Sequence, residues 1–299
     1  MPVAGARSML SGMRVKEAMR RQIVAMPPGK TARDGIGRMI KYKSDVLLIT
    51  GDDGEAQGIV SKTDLVGAFY AGLPVDTPLE ALLVTPLLFC FPDDALEDAL
   101  EIMVDGGVHQ LFVKGADAGR FEGMLAYGDI LGLVYRYCHR CRNSRFNVGQ
   151  DDAAGDVPTE IRVAEVMTAE VIGCAVDDDL AHVIEILSRQ RMGAVLVSDG
   201  NGRPAGVISK SDLMLAWHRD VDIQSPAASI MHCPIRTVHS QATLTEAMMH
   251  MLIEDIGRLF VSDPDSGRII GVISLSDAAN QRSGTCRACV SSRMLGKTG

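Results

Sequence analysis

Aromatic side chains are scarce in this chain, at 4% of 299 residues, with one Trp, five Tyr and seven Phe. That leaves few platforms on which the bases of a single-stranded nucleic acid could stack. A surplus of positive charge is missing too: 30 Lys and Arg stand against 38 Asp and Glu, a net charge of −8. A general binder of the phosphate backbone needs the opposite balance. Long apolar runs are also absent. The most apolar stretch, Ala81 to Phe91, is interrupted by Pro86 and falls well short of the roughly 20 residues of a spanning helix. The N-terminus, MPVAGARSML, lacks the apolar core of a secretory signal. Nucleic-acid and membrane partners are therefore not expected, and the expected compartment is the cytoplasm. No P-loop, G-x-S-x-G or H-E-x-x-H stretch occurs, so no catalytic constellation announces itself.

What the chain does have is 46% hydrophobic and 23% charged residues, a globular composition with length for about two domains. It also has internal repetition. Four segments end alike: Gly58-IVSKT-Asp64, Gly123-MLAYG-Asp129, Gly206-VISKS-Asp212 and Gly271-VISLS-Asp277. The glycines lie 65 residues apart within each half, and the halves are offset by 148. Val15-Lys16-Glu17-Ala18-Met19 maps onto Val163-Ala164-Glu165-Val166-Met167 at the same offset. Residues 15–65 and 163–213 align without gaps, with 11 identities in 51 positions, which reads as an old tandem duplication.

Each unit predicts the order helix–strand–helix–strand–strand–helix. The V-x-E-x-M stretch supplies a short helix, and a strand follows, as at Val171-Ile172. The segment Asp179 to Arg191 carries Leu180, Val183, Ile184 and Leu187 at helical spacing. Apolar strands are expected at Val46–Ile49, Leu111–Val113, Val195–Val197 and Leu259–Val261. Turns such as Asp199-Gly200-Asn201-Gly202 close hairpins, and the second strand of each hairpin runs into a helix that begins near the Asp. A unit of about 60 residues is small for a core of its own, so units should pair. The expected fold is α/β. Its domains are a flexible arm (1–13), a first pair (14–141, from units 14–69 and 78–136), a polar linker (142–160), a second pair (161–289, from units 161–217 and 225–280) and a tail (290–299).

On these residues the chain resembles the CBS domain, a family of small regulatory modules. Individually the G-h-h-S-x-x-D signature is weak; four copies at constant spacing are specific. The resemblance implies four CBS units paired into two Bateman modules, which can form a disk within one chain. It also implies clefts for adenine nucleotides or related ligands: AMP, ADP, ATP or S-adenosylmethionine. A carboxylate suits the two hydroxyls of a ribose, while a serine hydroxyl and a helix N-terminus suit a phosphate. The family pattern carries over to Ser61 and Asp64, Ser209 and Asp212, and Ser274 and Asp277. Unit two has Asp129, but Ala126 stands where the hydroxyl should be. Thr63, Ser211 and Ser276 add neighbouring hydroxyls, and Arg258, Lys62 and Lys210 are candidate phosphate partners. The plainer role for each Asp is capping its helix.

Each half ends in Cys-x-x-Cys, Cys138-His-Arg-Cys141 and Cys286-Arg-Ala-Cys289, again 148 residues apart. Two such knuckles can make a tetrahedral Cys₄ zinc site, within one chain or across a homodimer. Redox cycling, an iron–sulfur cluster and idle thiols are the alternatives. Cys90, Cys174 and Cys233 have no counterparts at this offset and read as small buried apolar residues. Three functions follow. The first is a non-enzymatic sensor that binds an adenosyl ligand and acts on a separate, unidentified protein. The others are a thiol- or metal-dependent redox protein with the repeats as regulator, and an oligomerisation scaffold with empty clefts.

Overall fold

The computed structural model describes residues 10–51, 54–115, 120–140 and 160–281. Four units share one element order. Unit one runs α1 (Val15–Ala18), β1 (Ala25–Met26), α2 (Ala32–Tyr42), β2 (Val46–Thr50), β3 (Ala56–Ser61) and α3 (Lys62–Tyr70). Unit two opens with a 3₁₀ turn (Leu79–Leu82), then β4 (Phe89–Cys90), α4 (Leu96–Asp105), β5 (Gln110–Lys114), β6 (Phe121–Ala126) and α5 (Tyr127–Arg140). Unit three has a 3₁₀ turn (Val163–Glu165), β7 (Gly173–Ala175), α6 (Leu180–Arg189), β8 (Ala194–Ser198), β9 (Pro204–Ser209) and α7 (Lys210–His218). Unit four has a 3₁₀ turn (Ala227–Ser229), β10 (Thr237–His239), α8 (Leu244–Glu254), β11 (Arg258–Ser262), β12 (Ile269–Ser274) and α9 (Leu275–Asn280).

Each unit builds a three-stranded sheet whose first two strands are parallel and whose last two form an antiparallel hairpin. The strand expected at Val171-Ile172 starts instead at Gly173, although the Ile172 carbonyl already accepts the Leu196 amide at 3.4 Å. A Cβ on Gly173 would lie 2.6 Å from the Leu196 carbonyl oxygen, so the backbones approach closely at this point. Leu10 and Met13, within the expected arm, are buried in the core of unit two. Cys90 and Cys174 are buried, and burial pushes their thiols up to about 12 and about 11. Cys233, expected inside, is exposed; its thiol donates to the Ala205 carbonyl at 2.9 Å, and the peptide to Pro234 is cis.

Units pair by exchanging their leading segments. The backbone after α1 bonds to β6 through Arg20 and Met124, with both N–H···O distances 2.8 Å. Unit two returns the exchange, Val84 pairing with Ile59 of β3. Units three and four repeat it through Thr168 with Val272 and His232 with Val207. The repeat glycines are explained by this exchange. A Cβ on Gly123 would lie 2.5 Å from the Arg20 carbonyl oxygen, and one on Gly271 would lie 2.8 Å from both the Thr168 carbonyl oxygen and the Met167 sulfur. The V-x-E-x-M methionine thus packs on the signature glycine of the partner unit. The paired sheets bury Val46 and Leu48 with Phe112 and Met124, and Ala194, Leu196 and Val207 with Phe260 and Val272.

The two pairs then join through helices. One core unites units one and three, another units two and four. Helix α3 packs on α7 and α5 on α9. Trp217 stacks on Phe69 with ring centroids 6.2 Å apart, and its indole N–H donates to the Leu73 carbonyl at 3.2 Å. Arg33 bonds the Asp220 carboxylate at 3.1 Å and the His218 carbonyl at 2.7 Å. No helix among the described residues is long and apolar enough to cross a membrane.

Candidate functional site

The last strand of each unit hands its chain to a helix at the signature. In units one, three and four the serine is the N-cap in extended backbone, and the aspartate sits at the third helical position. This is a capping box, serine and carboxylate each closing the other's open backbone group. Asp64 Oδ2 accepts the Ser61 amide at 2.7 Å and its hydroxyl at 2.6 Å. Asp212 and Ser209 repeat these distances, and Asp277 accepts the Ser274 amide at 2.8 Å and its hydroxyl at 2.6 Å. The three serine hydroxyls expected at a phosphate therefore donate to a carboxylate in this conformation, and only one oxygen of each carboxylate is engaged by its serine. The helix starts beyond the cap still present backbone N–H groups and a positive dipole end.

Unit two departs. Without a hydroxyl at Ala126, Asp129 Oδ2 accepts the Ala126 amide at 2.9 Å, and the Arg20 guanidinium closes on the carboxylate, Nε lying 2.9 Å from Oδ1 and 3.0 Å from Oδ2. Burial raises the Asp129 pKa, and the Arg20 charge and the Ala126 amide oppose that rise.

The starts of helices from different units approach one another. Lys210, the first residue of α7, donates to the Thr63 hydroxyl of α3 at 2.9 Å. Lys62, the first residue of α3, pairs with Asp45 at 2.5 Å. Gly128 of α5 approaches Leu275 of α9 closely enough that an added Cβ would touch it at 3.9 Å. Arg258, at the head of β11, lays its guanidinium over Gly193, where a Cβ would collide with Nη2. Burial lowers the pKa of both Lys210 and Arg258, and the Arg258 charge adds to the lowering at Lys210. Asp64 and Asp45 offset the loss at Lys210; Asp277 and Asp45 offset it at Arg258. The His109 imidazole stands edge-on to Tyr127, 5.9 Å between centroids. Burial lowers its pKa, Asp45 opposing and Arg258 and Lys210 reinforcing. Gln110, next in the chain, has its Nε2 buried without a hydrogen-bond partner. Asp45 is exposed, Lys210 and Arg258 are half-buried, and His109, exposed as a residue, still gives up part of its imidazole's hydration to these neighbours.

The signature thus led to the carboxylates and to Lys62, Lys210 and Arg258, and the structure gathers these cations around Asp45, Asp64 and Asp277. Sequence reasoning missed Asp45, His109, Gln110, Arg20 and His232. The Asp212 carboxylate lies 3.2 Å from His232 Nδ1. Ser276 shares a 2.8 Å hydrogen bond with Ser274, and half-buried Ser211 sits beside Lys210 on α7. Of the paired cysteines, Cys138 is buried on α5 in apolar surroundings, whereas Cys141, Cys286 and Cys289 lie outside the described residues. Among the described residues, no group of three or more His, Cys, Asp or Glu side chains is placed to hold a metal ion.

Comparison with known proteins gives this architecture a family. Protein MJ1225 of Methanocaldococcus jannaschii is 22% identical over 200 residues, 67% of this chain and 68% of that one. Its crystal structure, put forward as that of an archaeal homologue of g-AMPK, superposes with a TM-score of 0.73 at 18% identity, covering 90% of this chain and 99% of the other. A conserved uncharacterised protein of Pyrococcus horikoshii superposes with a TM-score of 0.58 at 20% identity, covering 90% and 100%. An arabinose 5-phosphate isomerase of Pseudomonas aeruginosa is 23% identical over 255 residues, 84% of this chain and 74% of that enzyme. The CBS domain model matches residues 15–71, 79–136, 163–219 and 227–284. With four copies covering most of its length, each in the matching strand and helix frame, the chain belongs to the CBS-domain family.

Proposed function

We propose that this protein is a non-enzymatic regulatory sensor that takes an adenosyl ligand, AMP, ADP, ATP or S-adenosylmethionine, in clefts between paired CBS units. A separate protein chain then reads the resulting change in packing. One observation carries the proposal. Lys210 and Arg258, one from each unit of the second pair, are held half-buried within electrostatic reach of Asp64 and Asp277 respectively, two carboxylates at the starts of capped helices. Burial works against both cations there, and a phosphate would restore what they lost on leaving water. The carboxylate oxygens not engaged by serine are suited to ribose hydroxyls, and the helix starts supply amides for phosphate. His109 feels the charges of both cations, and Lys62 is paired with Asp45 beside them.

CBS domains are regulatory modules, and the four units span residues 15–284. The isomerase activity of the Pseudomonas relative is not carried over, since 23% identity transfers no chemistry and no catalytic motif is present. Such a sensor works only through unequal affinity for two packings. Zinc at the paired Cys-x-x-Cys motifs is a separate part of the reading; α5, which carries Cys138, packs on α9, which precedes the second motif.

The test is a thermal-shift series with AMP, ADP, ATP and S-adenosylmethionine. At 100-fold excess over Kd, one ligand adds about 2.7 kcal/mol to the folded state. We expect a rise in midpoint with at least one of the four, reduced in Asp277→Ala and Arg258→Ala. If no midpoint moves and native mass spectrometry finds no retained ligand, the sensor reading fails.

A further inference from the structure

The four leading segments set four different residues beside the strands that run into the signature aspartates. Val84 pairs with β3 ahead of Asp64, Thr168 with β12 ahead of Asp277, His232 with β9 ahead of Asp212, and Arg20 with β6 ahead of Asp129. Only Arg20 is permanently charged. Its backbone is clamped by two 2.8 Å bonds to Met124, so its side chain starts from a fixed point, and its Nε reaches both oxygens of Asp129 within 3.0 Å. The Asp129 side chain is 13% exposed, the least of the carboxylates in the ion pairs described. Among the described residues, Asp64 and Asp277 form no ion pair.

We propose that Arg20 is a built-in counter-ion that keeps the unit-two cleft from accepting a ribose, so that adenosyl ligands occupy other clefts of the chain. The inference rests on the function proposed above. To enter, a ribose would have to replace an ion pair with hydrogen bonds from two uncharged hydroxyls, leaving the carboxylate without its counter-charge in a place where burial already works against it. The missing serine fits the same account. In the other units the serine hydroxyl satisfies one carboxylate oxygen; in unit two Ala126 provides no hydroxyl, and Arg20 takes over that duty. The exchange of Ser for Ala and the presence of Arg20 form one compensated change, which turns a carboxylate able to receive a diol into half of an ion pair.

The experiment counts AMP molecules per chain by native mass spectrometry and equilibrium dialysis at saturating AMP. Asp129→Asn is expected to leave the count of the parent unchanged, whereas Asp277→Ala lowers it by one. Arg20→Ala is expected to raise the count by one, and the added ligand is lost again in Arg20→Ala/Asp129→Asn. Arg20→Gln serves if the alanine variant does not fold. Loss of one AMP in Asp129→Asn, or an unchanged count in a folded Arg20 variant, overturns the inference. A parent that binds no AMP while Arg20→Ala binds one supports the counter-ion role and counts against the clefts proposed for the parent. Binding by neither overturns both.

Discussion

A single hydrogen atom decides whether two units can clasp. The signature glycines show no unusual torsion; they are required because a neighbouring backbone runs where a Cβ would be. Gly271→Ala forces its new methyl against the Thr168 carbonyl and the Met167 sulfur, both at 2.8 Å. Overpacking of this kind costs about 1–3 kcal/mol. Gly132, on α5, has nothing within 4 Å of an added Cβ, and alanine there should gain about 0.5–1 kcal/mol from helix propensity. Urea denaturation of the two variants should therefore move in opposite directions, and a neutral Gly271→Ala would refute the close approach. His109 gives a pH dependence. Its pKa in the fold is lowered from 6.5, first by burial, with Asp45 opposing and Arg258 and Lys210 adding to the effect. The unfolded chain then binds the proton more readily, so stability is lost as pH falls below about 6.5 and through the folded value. His109→Gln should flatten that acid limb in a pH series of melting midpoints.

Among elements, the caps are the most regular feature. Ser61, Ser209 and Ser274 close α3, α7 and α9, while Thr31 and Thr243 close α2 and α8 in the same way. Thr243 lies outside the cluster, and its hydroxyl accepts the Glu246 amide at 3.2 Å. Thr243→Ala should cost about 1 kcal/mol, seen as a lower denaturation midpoint with unchanged ligand binding. Elements were also where the sequence spoke most clearly. Leu180, Val183, Ile184 and Leu187 all turn inward on α6, and the hairpin strands lie where the apolar runs put them, because local periodicity reports burial directly. The site was legible only on the element that carries it. A serine and an aspartate three apart at a strand–helix junction are visible in one unit alone. Arg20 and Asp129 are 109 residues apart, and their meeting depends on the exchanged segments, which no local pattern records. Asp45 and His109 escaped notice for the same reason: each precedes a strand in one unit and interacts electrostatically with Lys210 and Arg258 of other units.

Taken whole, the molecule has no seam running through both modules that lacks a core of its own. Helices of units one and three bury one apolar cluster, and those of units two and four another, so the modules should unfold together. The one tryptophan sits on this seam, stacked on Phe69 and bonded to Leu73 across it. Its fluorescence therefore reports separation of the modules, while far-UV circular dichroism reports loss of helices and sheets. The two thermal transitions should coincide. A fluorescence change well ahead of the dichroism change would mean that the modules part before they melt.

Reciprocal lending of the leading segments also bears on how such a chain can grow. A lone copy would leave its glycine groove bare and its own leading strand without a host. Adding or deleting one unit would strand a partner in the same way, so the smallest heritable block is two units, and lengthening should proceed in pairs. The shared offset of 148 residues between halves is the trace such a step would leave.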